Sequence, residues 1–412
     1  VLRAPSDKSL THRAYIFAAL AQGPSEVTSA LRGEDCENTL QIVRSLGAEV
    51  LDQGGVVRIV PGPLRSPERD LDCGNSGTTM RLMAGVLASE PGLDATLVGD
   101  ASLSRRPMWR IVEPLRLMGA EVEGDTAPLH VRGKRLRGIE YATPVASAQI
   151  KSCILLAGVR AEGETWVTEP APSRDHTERM LESLGVEMMQ RGTTTIGVTG
   201  GQTWDGFSFD VPADVSSAAF FMCAAAMVPG SRVVFADVGT NPTRTGVLEA
   251  LSEAGAKIRV VPQEDRMGEP VSHVEIDHQE PLKAFEVSGD LVPRLIDEIP
   301  VLAVLATQCE GTTRIRDARE LRVKESDRVE AVAKNLRAMG AQVETCEDGM
   351  DVTGPTPLRA ATVDAEGDHR IGMAFAVAGL VAEGETTIVN AESIRTSYPG
   401  FQDDLEALSK RT

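Results

Sequence analysis

Six places in this sequence set polar or charged side chains immediately before an apolar run rich in small residues. They read Asp7-Lys8-Ser9-Leu10-Thr11-His12-Arg13, Asn75-Ser76-Gly77-Thr78-Thr79-Met80-Arg81, Ser147-Ala148-Gln149-Ile150-Lys151-Ser152, Asp214-Val215-Ser216-Ser217, Ile296-Asp297-Glu298 and Asp368-His369-Arg370. All six have the form of a helix start. Ser, Thr, Asp and Asn belong there as N-caps, and capping suffices for the Asp214 set. It does not call for Lys, Arg, Gln or His in the first turn, where cations oppose the helix dipole. Such cations make sense where an anion is received, because free backbone N–H groups and the dipole favour negative charge at the same spot.

Three loops add charge: Ser104-Arg105-Arg106-Pro107 after a strand, Ser173-Arg174-Asp175-His176 opening a helix, and Arg322-Val323-Lys324-Glu325-Ser326-Asp327-Arg328 opening another. Lys324 and Arg328 are four apart, a spacing that predicts one shared helix face. A solvated charged face is the ordinary reading of such runs, but recurrence at equivalent ends of repeated units argues for more. The expectation is that Arg and Lys residues converge on one cleft between two domains, with Asp297, Glu325 and His369. The ligands would be small polyanions, since bidentate Arg contacts suit phosphate and carboxylate. The acids would transfer protons, their pKa values adjusted by the nearby cations.

The elements that position these residues repeat. A glycine after a small-residue apolar helix, followed by a short β-rich run, recurs at Gly23, Gly92, Gly163, Gly230, Gly311 and Gly384, at intervals of 67 to 81 residues. A second glycine marker follows at Gly47, Gly119, Gly185, Gly255 and Gly340, as in V-R-S-L-G-A-E-V and L-R-L-M-G-A-E-V. Each unit therefore reads helix, glycine cap, strand, loop, helix, glycine cap and two strands, with glycine taking the left-handed position at the helix end. Six α/β units exceed one compact core, so two domains of three units are expected. The boundaries are 7–211 for one domain and 1–6 plus 212–412 for the other, with the opening strand pairing into the later half and the active site in the cleft between them. A doubly wound sheet is the alternative, but its G-x-G-x-x-G fingerprint is absent.

Composition excludes other classes. The 412 residues carry a formal net charge of −18, with no basic stripe of the kind a nucleic-acid binder shows. No apolar run has the length and purity of a membrane span, and no signal-peptide pattern opens the sequence as given. The six cysteines are far apart with no C-x-x-C pair, which points to free thiols in a reducing cytoplasm rather than a disulfide scaffold or zinc ribbon. His130, His176, His273 and His278 are too scattered to read as metal ligands.

The motifs D-K-S-L-T-H-R, N-S-G-T-T-M-R, S-A-Q-I-K-S, S-R-D-H-T-E, L-I-D-E, R-V-K-E-S-D-R and D-H-R-I-G-M-A resemble those of the 5-enolpyruvylshikimate-3-phosphate synthases, in family order, from residue 4 to about residue 401. The resemblance implies an α/β fold of two inside-out, barrel-like domains, each of three βαβαββ units. It implies transfer of an enolpyruvyl group from phosphoenolpyruvate to the 5-hydroxyl of shikimate 3-phosphate, with release of phosphate and no metal or organic cofactor. By the same resemblance Lys8, Arg106, Arg328, Arg370 and His369 hold phosphoenolpyruvate, with Asn75, Gly77 and Gln149 beside it. Lys8, Ser9, Arg13, Ser147, Ala148, Gln149, Arg174, Asp297 and Lys324 bind shikimate 3-phosphate. Asp297 and Glu325, with Lys8, are the implied proton-transfer groups of an addition–elimination. The partners implied are these small molecules alone, for a monomer in the cytoplasm.

The sequence departs from the family pattern at three places. Leu82 stands where many members carry Pro. The loop Ala171-Pro172-Ser173-Arg174-Asp175-His176 lacks the usual Tyr and looks like a divergent bacterial subgroup. Arg395-Thr396 occupies the place of a usual Lys. Gly77 is the small residue that glyphosate sensitivity favours in the family, while the subgroup features point the other way. The alternatives are the sister transferase acting on UDP-N-acetylglucosamine, whose mobile loop carries a Cys that Gly99 to Pro107 lacks, and a non-catalytic anion-binding repeat protein. Ligands that bridge two domains should also draw them together. Small-angle scattering should show compaction on addition of shikimate 3-phosphate, and an unchanged profile would count against bridging.

Overall fold

The computed structural model describes residues 1–409. The chain forms two units. One comprises Ser6–Val211 with Asp265–Glu269; the other comprises Val1–Pro5, Pro212–Glu264 and the chain from Pro270 on. The chain therefore passes between units at four places, because a short excursion at Asp265–Glu269 adds two to the passages after Pro5 and Val211.

The unit containing Ser6–Val211 has three four-stranded sheets. In the first, Ser208–Asp210, Ser25–Thr28, Val56–Val60 and Glu49–Asp52 lie side by side; the first pair is parallel and the others antiparallel. The sheet of Leu71–Asp72, Asp94–Val98, Leu129–Arg132 and Glu121–Glu123 repeats this order, as does that of Glu140–Ala142, Glu164–Thr168, Thr195–Thr199 and Met188–Arg191. The second unit follows the same plan with fewer strands in two of its three sheets. Arg232–Gly239, Val271–Asp277 and Lys257–Pro262 form one sheet. Its missing parallel edge is supplied by single bridges from Leu2 to Phe235 and from Ala213 to Val238. The other two sheets are Glu286–Val287, Gly311–Ile315, Gly349–Gly354 and Gln342–Cys346, and the pair Thr362–Asp364 and Thr387–Val389.

Six helices carry the chemistry-bearing starts: Lys8–Leu20, Gly77–Ala88, Ala148–Gly158, Val215–Met227, Ile299–Ala306 and His369–Val381. They are apolar on every side rather than on one stripe, and such helices must be interior. All residues of Val215–Met227 and of Ile299–Ala306 are buried. The helices between them, such as Glu34–Ser45 and Arg328–Ala338, bury one face only. Within each unit the apolar helices pack on one another, each unit has its own hydrophobic core, and the fold is mixed α/β. In the second unit a cluster of Phe220, Phe221, Tyr398 and Phe401 ties the final helix, Phe401–Ser409, to Val215–Met227.

The glycine markers behave differently from one another. The later set caps helices: Gly47, Gly119, Gly185, Gly255 and Gly340 all have positive φ at or just beyond a helix end. The earlier set does not sit at caps. Gly92, Gly163, Gly230, Gly311 and Gly384 have positive φ, but each lies several residues past its helix, in the turn that enters the next strand or, for Gly311, at the strand's first residue, and Gly23 is not left-handed at all. The turn, not the cap, demands glycine there.

Gly85 is required for a different reason. A Cβ on it would lie 2.3 Å from the Cys153 carbonyl oxygen, because Gly77–Ala88 and Ala148–Gly158 approach backbone to backbone. Gly85→Ala is expected to force these helices apart and cost roughly 1–3 kcal/mol by urea unfolding, and a neutral result would mean that the close approach is not maintained.

Candidate functional site

Both units gather polar side chains at the starts of their apolar helices. In the unit containing Ser6–Val211, Asp7 caps Lys8–Leu20 by accepting from Leu10 N–H at 2.8 Å. Lys8 donates to Asp35 at 2.9 Å, a buried acid from the next helix. Arg13 is buried one turn and a half on. Its Nε donates to Thr177 Oγ1 at 2.8 Å, Nη2 to Ser152 Oγ at 2.9 Å and Nη1 to the Ser9 carbonyl at 3.0 Å. Burial pulls its pKa down to about 10, against the pull of Glu178 and Asp7. The structure thus engages the Arg13 head with Ser9, Ser152 and Thr177 and brings it near the loop that carries Arg174.

The Gly77 helix is capped by Ser76 onto Thr79 N–H. Two loops are stitched beside it: Asn75 Nδ2 donates to Asp100 at 2.7 Å and Arg106 Nη2 to Asn75 Oδ1 at 2.7 Å. Gln149 links this helix to the Ala148 helix, accepting from Arg81 and donating to Thr78 Oγ1 at 2.8 Å. A Cβ at Gly77 would come within 2.7 Å of Arg81 Nη1 and 3.3 Å of Arg106 Nη1, so glycine leaves room for two guanidinium groups.

The Ala148 helix lacks a side-chain cap: Ser147 occupies the position, but its hydroxyl makes no capping bond. Instead the Ser147 N–H is held by Glu169 Oε1 at 2.9 Å. The N–H groups of the first turn have no intrahelical partner.

The second unit centres on Arg328. Its side chain is about 1% exposed and reaches three acids. Nε lies 2.8 Å from Asp368 Oδ2, Nη2 lies 2.7 Å from Glu325 and 3.3 Å from Asp368 Oδ1, and Nη1 lies 3.2 Å from Asp297. Burial works against the charged guanidinium, but Asp368, Glu325 and Asp297 together outweigh it and hold its pKa above the ordinary value. Burial likewise pushes the Asp368 carboxyl up, and Arg328 outweighs that and leaves it below the ordinary range. Asp368 also caps the His369 helix through Arg370 N–H at 2.9 Å and accepts from Ser326 at 3.1 Å. Arg370 Nη1 donates to the Asp297 carbonyl at 3.4 Å, and Lys324 Nζ lies 3.8 Å from the Asp297 carboxylate. Asp297, Lys324, Glu325, Arg328, Asp368 and Arg370 are therefore one cluster, with His369 next to Asp368 along the chain.

One expectation is corrected. Lys324 and Arg328 do not share a helix face. Asp327 caps the helix by accepting from Glu330 N–H, so the helix begins at Arg328, and Lys324 is extended. The two cations meet through Asp297 instead. Arg395 is exposed and Thr396 half-buried in a short helical turn, Glu392–Thr396. The Asp214 helix start is capped onto Ser216 N–H and its carboxylate is paired with buried Arg244 at 3.1 Å. Among the described residues no group of His, Cys, Asp or Glu has the makings of a metal site, and no helix is long and apolar enough to cross a membrane.

Several residues that hold the site were not singled out from sequence: Asp35, Asp100, Glu169 and Glu269. Asp35, Glu169 and Glu269 are distant in sequence from the Lys8, Lys151 and His176 they meet, Asp100 meets Asn75, and no local motif marks them. Arg81, Lys151 and Asp368 lay within the motifs, and their charge at an apolar helix start was the available signal.

An α/β fold of two three-sheet units, with cation-bearing starts on its apolar helices, defines the class. A model of the family "EPSP synthase (3-phosphoshikimate 1-carboxyvinyltransferase)" matches residues 1–405. Curated relatives named 3-phosphoshikimate 1-carboxyvinyltransferase are 48% identical: one from Brevibacillus brevis over 99% of this chain and 97% of that protein, one from Bacillus cereus over 98% and 96%. A solved EPSP synthase from Acinetobacter baumannii superposes with a TM-score of 0.89 at 43% identity, covering 99% of this chain and 95% of that one. The chain belongs to the EPSP synthase family.

Replacing Arg328 by Gln would leave three partly or fully buried carboxylates without their shared cation, a loss of roughly 3–5 kcal/mol at neutral pH. The folded-state pKa of Asp368 is depressed, so its contribution is present above about pH 4, its unfolded range, and fades as pH falls below that. Urea unfolding across pH 7 to 3 should show the gap between wild type and Arg328→Gln narrowing at the acid end. A gap independent of pH would contradict the pairing.

Proposed function

We infer that this chain moves the enolpyruvyl group of phosphoenolpyruvate to the 5-hydroxyl of shikimate 3-phosphate, releasing phosphate, in aromatic amino-acid biosynthesis. The observation that carries the chemistry is the Arg328 cluster, in which two acids, Asp297 and Glu325, share one buried cation. Two acids on a common guanidinium suit a reaction that removes one proton and delivers another.

In this reading Asp297, with Lys8, takes the proton of the 5-hydroxyl as its oxygen forms a bond to C2 of phosphoenolpyruvate. Glu325 gives a proton to C3, and the double bond becomes the methyl group of a tetrahedral adduct. The C2–O bond to phosphate then breaks, a methyl proton returns to the enzyme and the double bond re-forms. Arg106, Arg328, Arg370 and His369 receive the charge of phosphoenolpyruvate, beside Asn75, Gly77 and Gln149. Preorganised cations of this sort stabilise the changing charge without reorganisation at the moment of reaction. Ser9, Arg13, Ser147, Ala148, Gln149, Arg174, Asp297 and Lys324, with Lys8, hold shikimate 3-phosphate. The uncapped start of the Ala148 helix supports that placement, since free N–H groups attract a phosphate. Arg13 acts there through Ser9, Ser152 and Thr177, to which its donors are committed.

The reading takes the chain as a monomer. It places it in a reducing cytoplasm, which the six free cysteines support.

Phosphate release should occur with shikimate 3-phosphate plus phosphoenolpyruvate, not with UDP-N-acetylglucosamine as acceptor. It should drop by at least about 100-fold in Glu325→Gln, the scale of a lost proton-transfer group. Folded protein that releases no phosphate from the first pair would overturn the assignment, and wild-type rates in the variant would remove Glu325 from it.

A further inference from the structure

Beneath the Ala148 helix start lies a buried charge network that the reaction as described does not use. Lys151, in the first turn, is 5% exposed. Its Nζ lies 2.9 Å from Glu169 Oε2 and 2.8 Å from Glu178 Oε1, and donates to the Ser173 carbonyl at 3.4 Å. Glu169 and Glu178 are 4% and 7% exposed. Glu169 works at both oxygens: Oε1 accepts from Ser147 N–H at 2.9 Å, and Oε2 accepts from Ser173 Oγ at 2.9 Å besides Lys151. Three segments are joined in this way: the residue that opens the Ala148 helix, the loop from Glu169 to Ser173 leading into Arg174, and the helix His176–Ser183 that carries Glu178. That helix is clasped from behind as well, by His176 Nδ1 to Glu269 at 2.8 Å and Arg179 to the Gly268 carbonyl at 3.2 Å.

A buried ion network is weak evidence for stability, since apolar residues of similar volume often do as well. Its geometry therefore calls for another explanation. The Ala148 helix has no side-chain cap, and the N–H of the residue at the cap position is held by Glu169. That bond orients Ser147 while leaving the first-turn N–H groups to a ligand. The Ser173 bond fixes the residue next to Arg174. We propose that Glu169, held by Lys151, is a positioning residue that sets the Ser147–Gln149 helix start and the Arg174 loop in one register for the phosphate of shikimate 3-phosphate. This rests on the assignment of Ser147, Ala148 and Arg174 to that substrate.

The chemistry of the side chain makes the test sharp. A carboxylate accepts at both oxygens, whereas an amide accepts at one and donates at the other. Glu169→Gln, nearly isosteric, must give up either the Ser147 N–H bond or the Lys151 and Ser173 side. Loss of one charge-assisted bond's worth of alignment corresponds to about a tenfold effect. Steady-state kinetics of Glu169→Gln should therefore show KM for shikimate 3-phosphate raised about tenfold, with KM for phosphoenolpyruvate unchanged. Ser173→Ala, which removes only the hydroxyl donor and spares the ions, should show a smaller rise of the same selectivity, and it keeps the question answerable if Glu169→Gln folds poorly. A purely structural role would lower the melting temperature and leave both KM values alone, or raise both together; either result overturns the proposal. Arg174→Ala separates the two levels. If it raises KM for shikimate 3-phosphate while Glu169→Gln and Ser173→Ala do not, the positioning role fails alone. If Arg174→Ala also leaves that KM unmoved, the substrate assignment on which the proposal rests fails with it.

Discussion

Cations at the starts of buried helices are the constraint on which the rest of this protein depends. A Lys or Arg in a first turn works against the helix dipole, and a buried one loses its hydration as well. This chain places Lys8, Lys151 and Arg370 in such turns, inside a protein whose formal charge is −18. Each is stabilised by a carboxylate or carbonyl brought from another element: Asp35 for Lys8, Glu169 and Glu178 for Lys151, the Asp297 carbonyl for Arg370. The arrangement holds only if those partners stay in place, which gives the surrounding sheets and one-sided helices their task.

The interior position of the apolar helices follows from the same demand. A helix buried on every side is fixed along its whole length by packing, as Val215–Met227 and Ile299–Ala306 are, so its start is fixed too. The Cβ-free approach of Gly85 to the Cys153 carbonyl sets the Gly77 and Ala148 helices close enough for Gln149 to bridge Arg81 and Thr78. The Asp214 start carries no cation in its first turn: its carboxylate caps the helix and pairs with the chain's own Arg244.

Much of this was legible in the sequence. Six apolar runs with polar starts, spaced by glycine-marked strands, give the helices and strands of both units, because burial on all sides and left-handed turns each leave a local signature. The α/β class and the family follow from the ordered motifs. What was not legible depends on long-range partners. Nothing near Glu169, Glu178 or Glu269 announces that they meet Lys151 and His176, and nothing near Asp265–Glu269 announces its passage into the other unit. The spacing of Lys324 and Arg328 misleads because Asp327, an N-cap, delays the helix by one turn. The earlier glycine markers mislead in the same way: the turn into a strand demands a positive φ as firmly as a helix cap does.

The central claim is that cation-supported helix starts, the uncapped Ala148 start among them, receive the substrate's anionic groups. A crystal structure of the chain with shikimate 3-phosphate tests it most directly. The account predicts the phosphate within hydrogen-bond distance of the Ala148 N–H and the Arg174 guanidinium, with the Glu169 bond to Ser147 intact. A phosphate bound elsewhere, with that helix start left to solvent, would contradict it.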